Sequence, residues 1–274
     1  MSVERLLEKV HDIPQIPKVV QELIDNFNNP DVNAGAIAKK LQMDQALSAK
    51  VLRLANSARY GAGRKVASID SAVVMLGFEA LKTMVVASGV TGAFKDIPGL
   101  DKTAFWRDSF TVANICKLIG KHSALDPEVA FTCGMLHNIG DVLIAMAEPE
   151  KWAKVHALVK DGGKRTELEQ NQCGVDYTQV GAELARRWKF PEEIQEAMTH
   201  QAHPEQADPF SGLAAAIYIA RYVNDCMLAE KPREEILENF PNELANQIGL
   251  DIVAFFDQMV ELFEAEDDID SLLS

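Results

Sequence analysis

Cysteine is scarce and unpaired in this chain: the four present, at positions 116, 133, 173 and 226, form no C-x-x-C motif. With 274 residues the chain is long enough to build a core without covalent staples, so these read as reduced thiols of a cytoplasmic protein. Long apolar runs are missing too. The longest, Leu213 to Ala220, falls far short of the ~18 residues that cross a bilayer, so no membrane association is expected. The opening stretch, Met-Ser-Val-Glu-Arg-Leu-Leu-Glu-Lys, contains neither the apolar segment nor the cleavage signal of a secretory leader. Positive charge is in deficit: 27 Lys and Arg against 41 Asp and Glu leave a net charge of −14. Duplex binding relies on Lys and Arg neutralising phosphates, so no nucleic-acid partner is expected. No window alternates polar and apolar residues convincingly or pairs with a hairpin turn, and there is no internal repeat or low-complexity tract.

What is present is helical periodicity. Between Pro17 and Phe27, apolar residues fall at 19, 20, 23, 24 and 27, one face of a 3.6-residue period. Asp44 is placed to cap a helix carrying Leu47, Val51, Leu54 and Ala58 on one stripe. The glycine-rich residues 61–65 break that run, and Ser68 to Gly77 and Phe78 to Ala93 follow as apolar helices. Residues 95–99, Lys-Asp-Ile-Pro-Gly, form a turn-rich joint. Thr103 to Lys121 is amphipathic, and Asp126-Pro127-Glu128 supplies a cap and a first-turn proline for the next helix. Pro149 opens another, closed by Asp161 and the two glycines after it. Thr166 with Glu169, and Asp176 with Gln179, have the spacing of reciprocal caps. Pro191, Asp208-Pro209 and Pro232 mark three later starts.

The pattern predicts an all-α fold of about 12–14 helices. It divides into a helical subdomain over 1–97, a second over 98–225, and C-terminal helices with an acidic tail over 226–274. In that tail Glu261, Glu264, Glu266, Asp267, Asp268 and Asp270 read as a solvated, fraying helix end, with docking of a basic partner as the alternative.

Several side chains carry chemistry. The segment from Phe131 to Asp141 places His137-Asn138 before Ile139-Gly140-Asp141. A lone helical histidine is more often buried and hydrogen-bonded than metal-loaded. Cys133 and His137, four apart, have the spacing of a thiol–imidazole pair, though a packed cysteine is the plainer reading. Asp141 is expected to cap or pair locally, and His203 to sit at the surface. Asn56, Ser57 and Tyr60 read as a buried turn network, or alternatively as a polar ligand site. Arg53, Arg59, Arg64 and Lys65 form the one basic cluster, either solvated helix-end charges or a patch for an acidic partner or a nucleotide phosphate.

Two stretches carry motifs in a recognisable order. The first runs through Asp44-Gln-Ala-Leu47, Asn56-Ser57, Tyr60-Gly61 and Ala72 to Leu76-Gly77. The second has Phe105-Trp106, Ala130-Phe131, Gly134-Met135-Leu136-His137, Val180-Gly181-Ala182, Trp188 to Pro191, and His200. Over roughly residues 5–225 this resembles HDOD domains, the HD-related output domains of bacterial signalling proteins. Gln45 stands where that family usually has proline. The resemblance implies an N-terminal helical bundle packed on an HD-like helical subdomain.

It also implies a ligand set. Metal-binding HD phosphohydrolases carry His-Asp followed by Ile-Gly-Lys, and the adjacent imidazole and carboxylate hold divalent metal. Here the pair is His137-Asn138, and Asp141 stands in the lysine's place. Asp108 corresponds to the family's histidine on the preceding helix, Tyr177 to a histidine before the Val-Gly element, and His200-Gln201 to a later His-His doublet. Asp108, His137 and His200 are therefore the implied residual ligands. Asn138, Tyr177 and Gln201 are degenerate positions, because an amide or a phenol grips a hard cation poorly. No cofactor is expected beyond at most one weakly held divalent metal.

The expectation is a non-catalytic signalling module that meets a protein partner in trans, with the joint at 95–99 as the candidate contact region. A metal-dependent phosphohydrolase of nucleotides or cyclic dinucleotides, using Asp108, His137 and His200, is the second reading. A nucleotide-binding sensor without turnover, using the basic segment 53–65, is the third.

Overall fold

The structure, a computed structural model, describes residues 1–10, 13–27, 29, 32–56 and 66–264, without the side chains of 260–264. The described residues form seventeen α-helices and one 3-10 turn, with no strand. The excess over 12–14 comes from short elements that periodicity does not resolve, and from one apolar run that divides in two at His137-Asn138.

The first six helices are α1 (Val3–Lys9), α2 (Lys18–Asp25), α3 (Ala34–Met43), α4 (Gln45–Ala55), α5 (Ile69–Leu76) and α6 (Phe78–Ala93). Local chemistry sets their ends. Asp44 Oδ1 accepts from the Leu47 N–H at 3.0 Å, and Ser68 Oγ from the Ser71 N–H at 3.1 Å, each satisfying a first-turn donor that the helix leaves open. Every residue of α6 from Leu81 to Thr91 is buried. A helix buried all round must be wrapped, and α2, α4, α5 and α8 (Pro127–Leu136) all pack on α6.

The chain continues with α7 (Lys102–Lys121), α8, α9 (Ile139–Ala147), α10 (Pro149–Lys160), α11 (Arg165–Cys173), α12 (Tyr177–Arg187) and α13 (Glu192–His200). It ends with α14 (Gly212–Leu228), α15 (Arg233–Glu238), α16 (Asn242–Gln247) and α17 (Ile252–Glu264). Asp126 caps α8 through the Glu128 and Val129 N–H groups, and Asp176 with Gln179 makes the reciprocal cap of α12. Two boundaries differ from the sequence reading. The cap of α14 is Ser211, two residues beyond the cis Asp208–Pro209 peptide, because its hydroxyl accepts from the Ala214 N–H. Thr166 lies inside α11, and Glu169 makes no cap but turns inward.

One core joins the N-terminal helices to the rest. Gln21 Nε2 donates to the Trp188 carbonyl at 2.8 Å, and Trp188 Nε1 to the Pro14 carbonyl at 3.0 Å. Phe27 packs on Phe190, and Phe94 on both Trp106 and Trp188. All four cysteines are buried and free. Contrary to the sequence expectation, Pro127–Ala147 is long and apolar enough by length and composition to cross a bilayer. Its most apolar window is 83% buried, which is what the interior position of α8 and α9 against α7, α12 and α14 requires.

Close approach at two glycines sets where the site lies. A Cβ on Gly134 would fall 2.6 Å from the Ala113 Cα, so α8 can seat on α7 only with glycine there. A Cβ on Gly140 would fall 2.0 Å from the Tyr177 carbonyl oxygen, so the start of α9 touches the start of α12 backbone to backbone.

Candidate functional site

His137 and Asn138 make the break between α8 and α9. His137 is 2% exposed, and its Nδ1–H donates to the Gly134 carbonyl at 2.7 Å. Burial, with the nearby Arg221 charge adding to it, lowers the imidazole pKa to about 3, so the ring is neutral. Its backbone carbonyl accepts from Gln201 Nε2 at 2.9 Å. Cys133 is also buried and its thiol is pushed well up by desolvation, which removes the thiolate needed for a nucleophile.

Asn138 sits at the N-cap of α9 yet makes no cap. Its Oδ1 instead accepts from Arg165 Nη1 at 2.9 Å. Arg165 is the hub of the site. Its Nε donates to Glu169 Oε1 at 2.8 Å, and its Nη2 lies 2.7 Å from Asp141 Oδ1. That last contact is a charge pairing off the hydrogen-bond direction, so Nη2 keeps no hydrogen-bond acceptor. The face of the guanidinium stacks on Tyr177, with Cζ 3.9 Å from the ring centroid. Burial opposes the charge, but Asp141 and Glu169 hold Arg165 firmly protonated.

The carboxylates divide. Asp141 is buried, yet Arg165, His156 and Trp152 outweigh the desolvation and hold its carboxyl below the usual range. His156 Nε2 and Trp152 Nε1 donate to its Oδ1 at 3.0 and 2.9 Å. Asp141 thus pairs locally, tying α9 to α10 and α11. Glu169, whose other oxygen accepts from the Tyr177 N–H at 2.7 Å, stays above the usual range because burial dominates over Arg165. Asp108 is raised for the same reason, against the Asn224 Nδ2 donation at 2.7 Å and the Arg221 charge. Arg221 donates to the Tyr177 hydroxyl.

The sequence-derived positions therefore separate. His137, Asn138, Tyr177 and Gln201 converge around Arg165 and Arg221, with Asp108 behind Arg221. His200 does not join them: it pairs with Glu196 at 3.3 Å and lines a neighbouring cavity of about 530 Å³ beside Asp176 and Gln179. Among the described residues no three His, Cys, Asp or Glu groups are placed to share an ion. The donors that face the motif already hold a guanidinium, so they do not fit a hydrolytic metal. Tyr177, Gln201, His203, Tyr218, Arg221 and Asp225 instead line an open cavity of about 370 Å³ over Arg165. Gln201 Oε1, buried there, has no hydrogen-bond partner.

Of the basic cluster, Arg53 is exposed in the last turn of α4, while Arg59, Arg64 and Lys65 lie outside the described residues. So do Ser57, Tyr60 and the acidic tail from position 265. Asn56 is exposed, not buried as expected, and clamps the Val66 backbone through both amide atoms, at 2.6 and 2.8 Å.

Arg165, Trp152, His156 and Arg221 carry the site and were absent from the sequence reading, which gave Glu169 only as part of a helix cap. The one available signal was Arg165 and Glu169 four residues apart, the spacing of a helical ion pair.

A protein from Treponema pallidum (strain Nichols), itself uncharacterized, is 25% identical over 235 residues, 84% of this chain but 46% of its own length. The chain thus spans less than half of the curated relative it matches. A solved structure from Shewanella amazonensis SB2B, whose name proposes a phosphohydrolase, is 36% identical, with a TM-score of 0.85 and 98% of both chains covered. An HDOD domain protein of unknown function from Geobacter sulfurreducens is 26% identical, with a TM-score of 0.84 over 98% of this chain and 96% of that one. The HDOD family model matches residues 13–204, and the chain belongs to the HDOD domain family.

Proposed function

We propose that this HDOD protein is a non-catalytic signalling module of the bacterial cytoplasm, acting through contacts with a protein partner. The observation that carries the reading is that the implied ligands do not converge: Asn138 holds Arg165, Asp108 accepts from Asn224, and His200 turns to Glu196. Hydrolysis of a phosphoester by a metal centre requires ligands that hold the ion and still leave a water polarised. Here two carboxylates and an amide are committed to a side chain, and His137 is locked to Gly134 and Gln201. Two ions side by side would need more donors still.

Protein purified from Mn- and Fe-supplemented medium, analysed for metal and screened against nucleotides, cyclic dinucleotides and simple phosphoesters, tests this. The expected result is no stoichiometric metal and no turnover. Turnover that disappears on replacing His137 overturns the proposal.

The cavity over Arg165 favours a second reading, a small-ligand sensor without turnover. An orphaned acceptor on Gln201 and an Arg165 Nη2 lacking a hydrogen-bond acceptor at one cavity are complementary to a ligand offering both a donor and an acceptor. A thermal-shift panel of nucleotides tests it, since a ligand of the native state raises Tm by mass action. No shift across the panel removes it.

A further inference from the structure

We propose that Arg165 is the site's own built-in cation: its guanidinium fills a preformed cradle shaped for a planar, three-pronged ion and thereby closes the motif to metal. The inference rests on the non-catalytic reading above and goes further, since it assigns the chemical class the cradle takes.

Three observations carry it. Each nitrogen of the guanidinium faces a different oxygen, Nη1 to Asn138, Nη2 to Asp141 and Nε to Glu169, at 2.7 to 2.9 Å. One face lies on the Tyr177 ring, which favours a delocalised cation. Arg165 is also the first residue of α11, where the helix dipole disfavours positive charge. The position opposes local propensity, so the surroundings hold it there. Two of the oxygens accept hydrogen bonds from separate nitrogens and the third meets Nη2 as a charge contact, whereas a divalent ion wants its oxygens at roughly 2.0–2.6 Å from one point. The cradle is therefore too wide for a metal and matched to a guanidinium.

The test is chemical rescue. Arg165→Ala empties the cradle and should lower Tm by roughly 10 °C, as removal of one partner strands buried charges. Guanidinium chloride at 50 mM should then raise the variant's Tm by about 3 °C over equal NaCl, by mass action. Urea, the same shape without the charge, should not, and neither should MnCl2. The wild-type protein should show no gain with guanidinium, and electron paramagnetic resonance should find all added Mn2+ free. A guanidinium response no larger than that to urea or NaCl overturns the proposal, as does one tightly bound Mn2+ per wild-type chain. Should the variant not fold alone, refolding it with and without guanidinium asks the same question. A yield that rises only with guanidinium supports the cradle; equal yields sink it. Phosphoester turnover by wild-type protein would sink the non-catalytic reading, whereas a failed rescue without turnover sinks only the cradle.

Discussion

Arg165 Nη1 donates to Asn138 Oδ1 across 2.9 Å, joining the first residue of α11 to the residue just before α9. Asparagine is a favoured N-cap, yet this one gives its oxygen to the guanidinium instead of to its own helix. Asn138→Asp restores the motif carboxylate and puts a third acid around one cation. Glu169 already sits above the usual carboxyl range through burial, and the added charge pushes it further. An acid raised on folding loses native stability as pH rises from its unfolded pKa through the folded one. The variant should therefore be destabilised by about 1 kcal/mol more at pH 8 than at pH 5. Urea unfolding at both pH values measures this, and equal penalties would count against it.

His137 gives the opposite slope. Buried and neutral, it titrates near 3 against an ordinary value of 6.5. Below 6.5 the unfolded chain takes up a proton that the native state refuses, so native stability falls as pH drops from 6.5 towards 3. By pH 5 the loss from this group is about 2 kcal/mol at about 1.4 kcal/mol per unit. His137→Gln, with no titrating group, should flatten the fall in Tm between pH 7 and 5 relative to wild type. An unchanged slope would mean that the native state takes up the proton at His137 as readily as the unfolded chain does.

The helical nature of the fold and many helix ends were legible because their causes are local. Asp44, Ser68, Asp126 and Asp176 bond amides two or three residues on, and that distance is visible in a sequence. The site was legible only in part. His200 and Gln201 are neighbours, and a helix turns about 100° per residue, so one points inward to His137 while the other meets Glu196. The doublet could not say which. Arg165 and Glu169 sit on a strongly polar helix that reads as a solvated surface, and Arg221 on a distant one. What turns them inward are contacts with Asn138, Asp141 and Tyr177, most of them distant in the chain and without a local signature.

Asp176 is the strongest of the local devices. Its Oδ1 accepts from the Thr178 and Gln179 N–H groups and the Thr178 hydroxyl, and Gln170 Nε2 donates to its other oxygen. It therefore caps α12 and ties α11 to it, one residue ahead of Tyr177. Asp176→Ala should cost about 1–2 kcal/mol in urea unfolding. Asp176→Asn should recover most of that, because the amide oxygen still caps. Equal losses for both variants would mean that the charge, not the cap, carries the stability.

Gly140 is the motif residue that chemistry alone leaves unexplained, and packing accounts for it. Its Cα side lies so near the Tyr177 carbonyl and the Gly181 N–H that a methyl group would overlap backbone at 2.0 and 2.6 Å. Backbone cannot rotate aside as a side chain does, so α9 and α12 would have to part, moving Asp141 and Asn138 away from Arg165. Gly140→Ala should cost about 3 kcal/mol or more. Gly162→Ala is the control: its φ of +92° disfavours alanine, but nothing lies within 4 Å, and about 1 kcal/mol is expected. Unfolding free energies in urea, with Trp152 fluorescence reporting on the Asp141 contact, compare the two. If Gly140→Ala proves as mild as Gly162→Ala, helix contact does not hold the site together, and the ion network around Arg165 must do so alone.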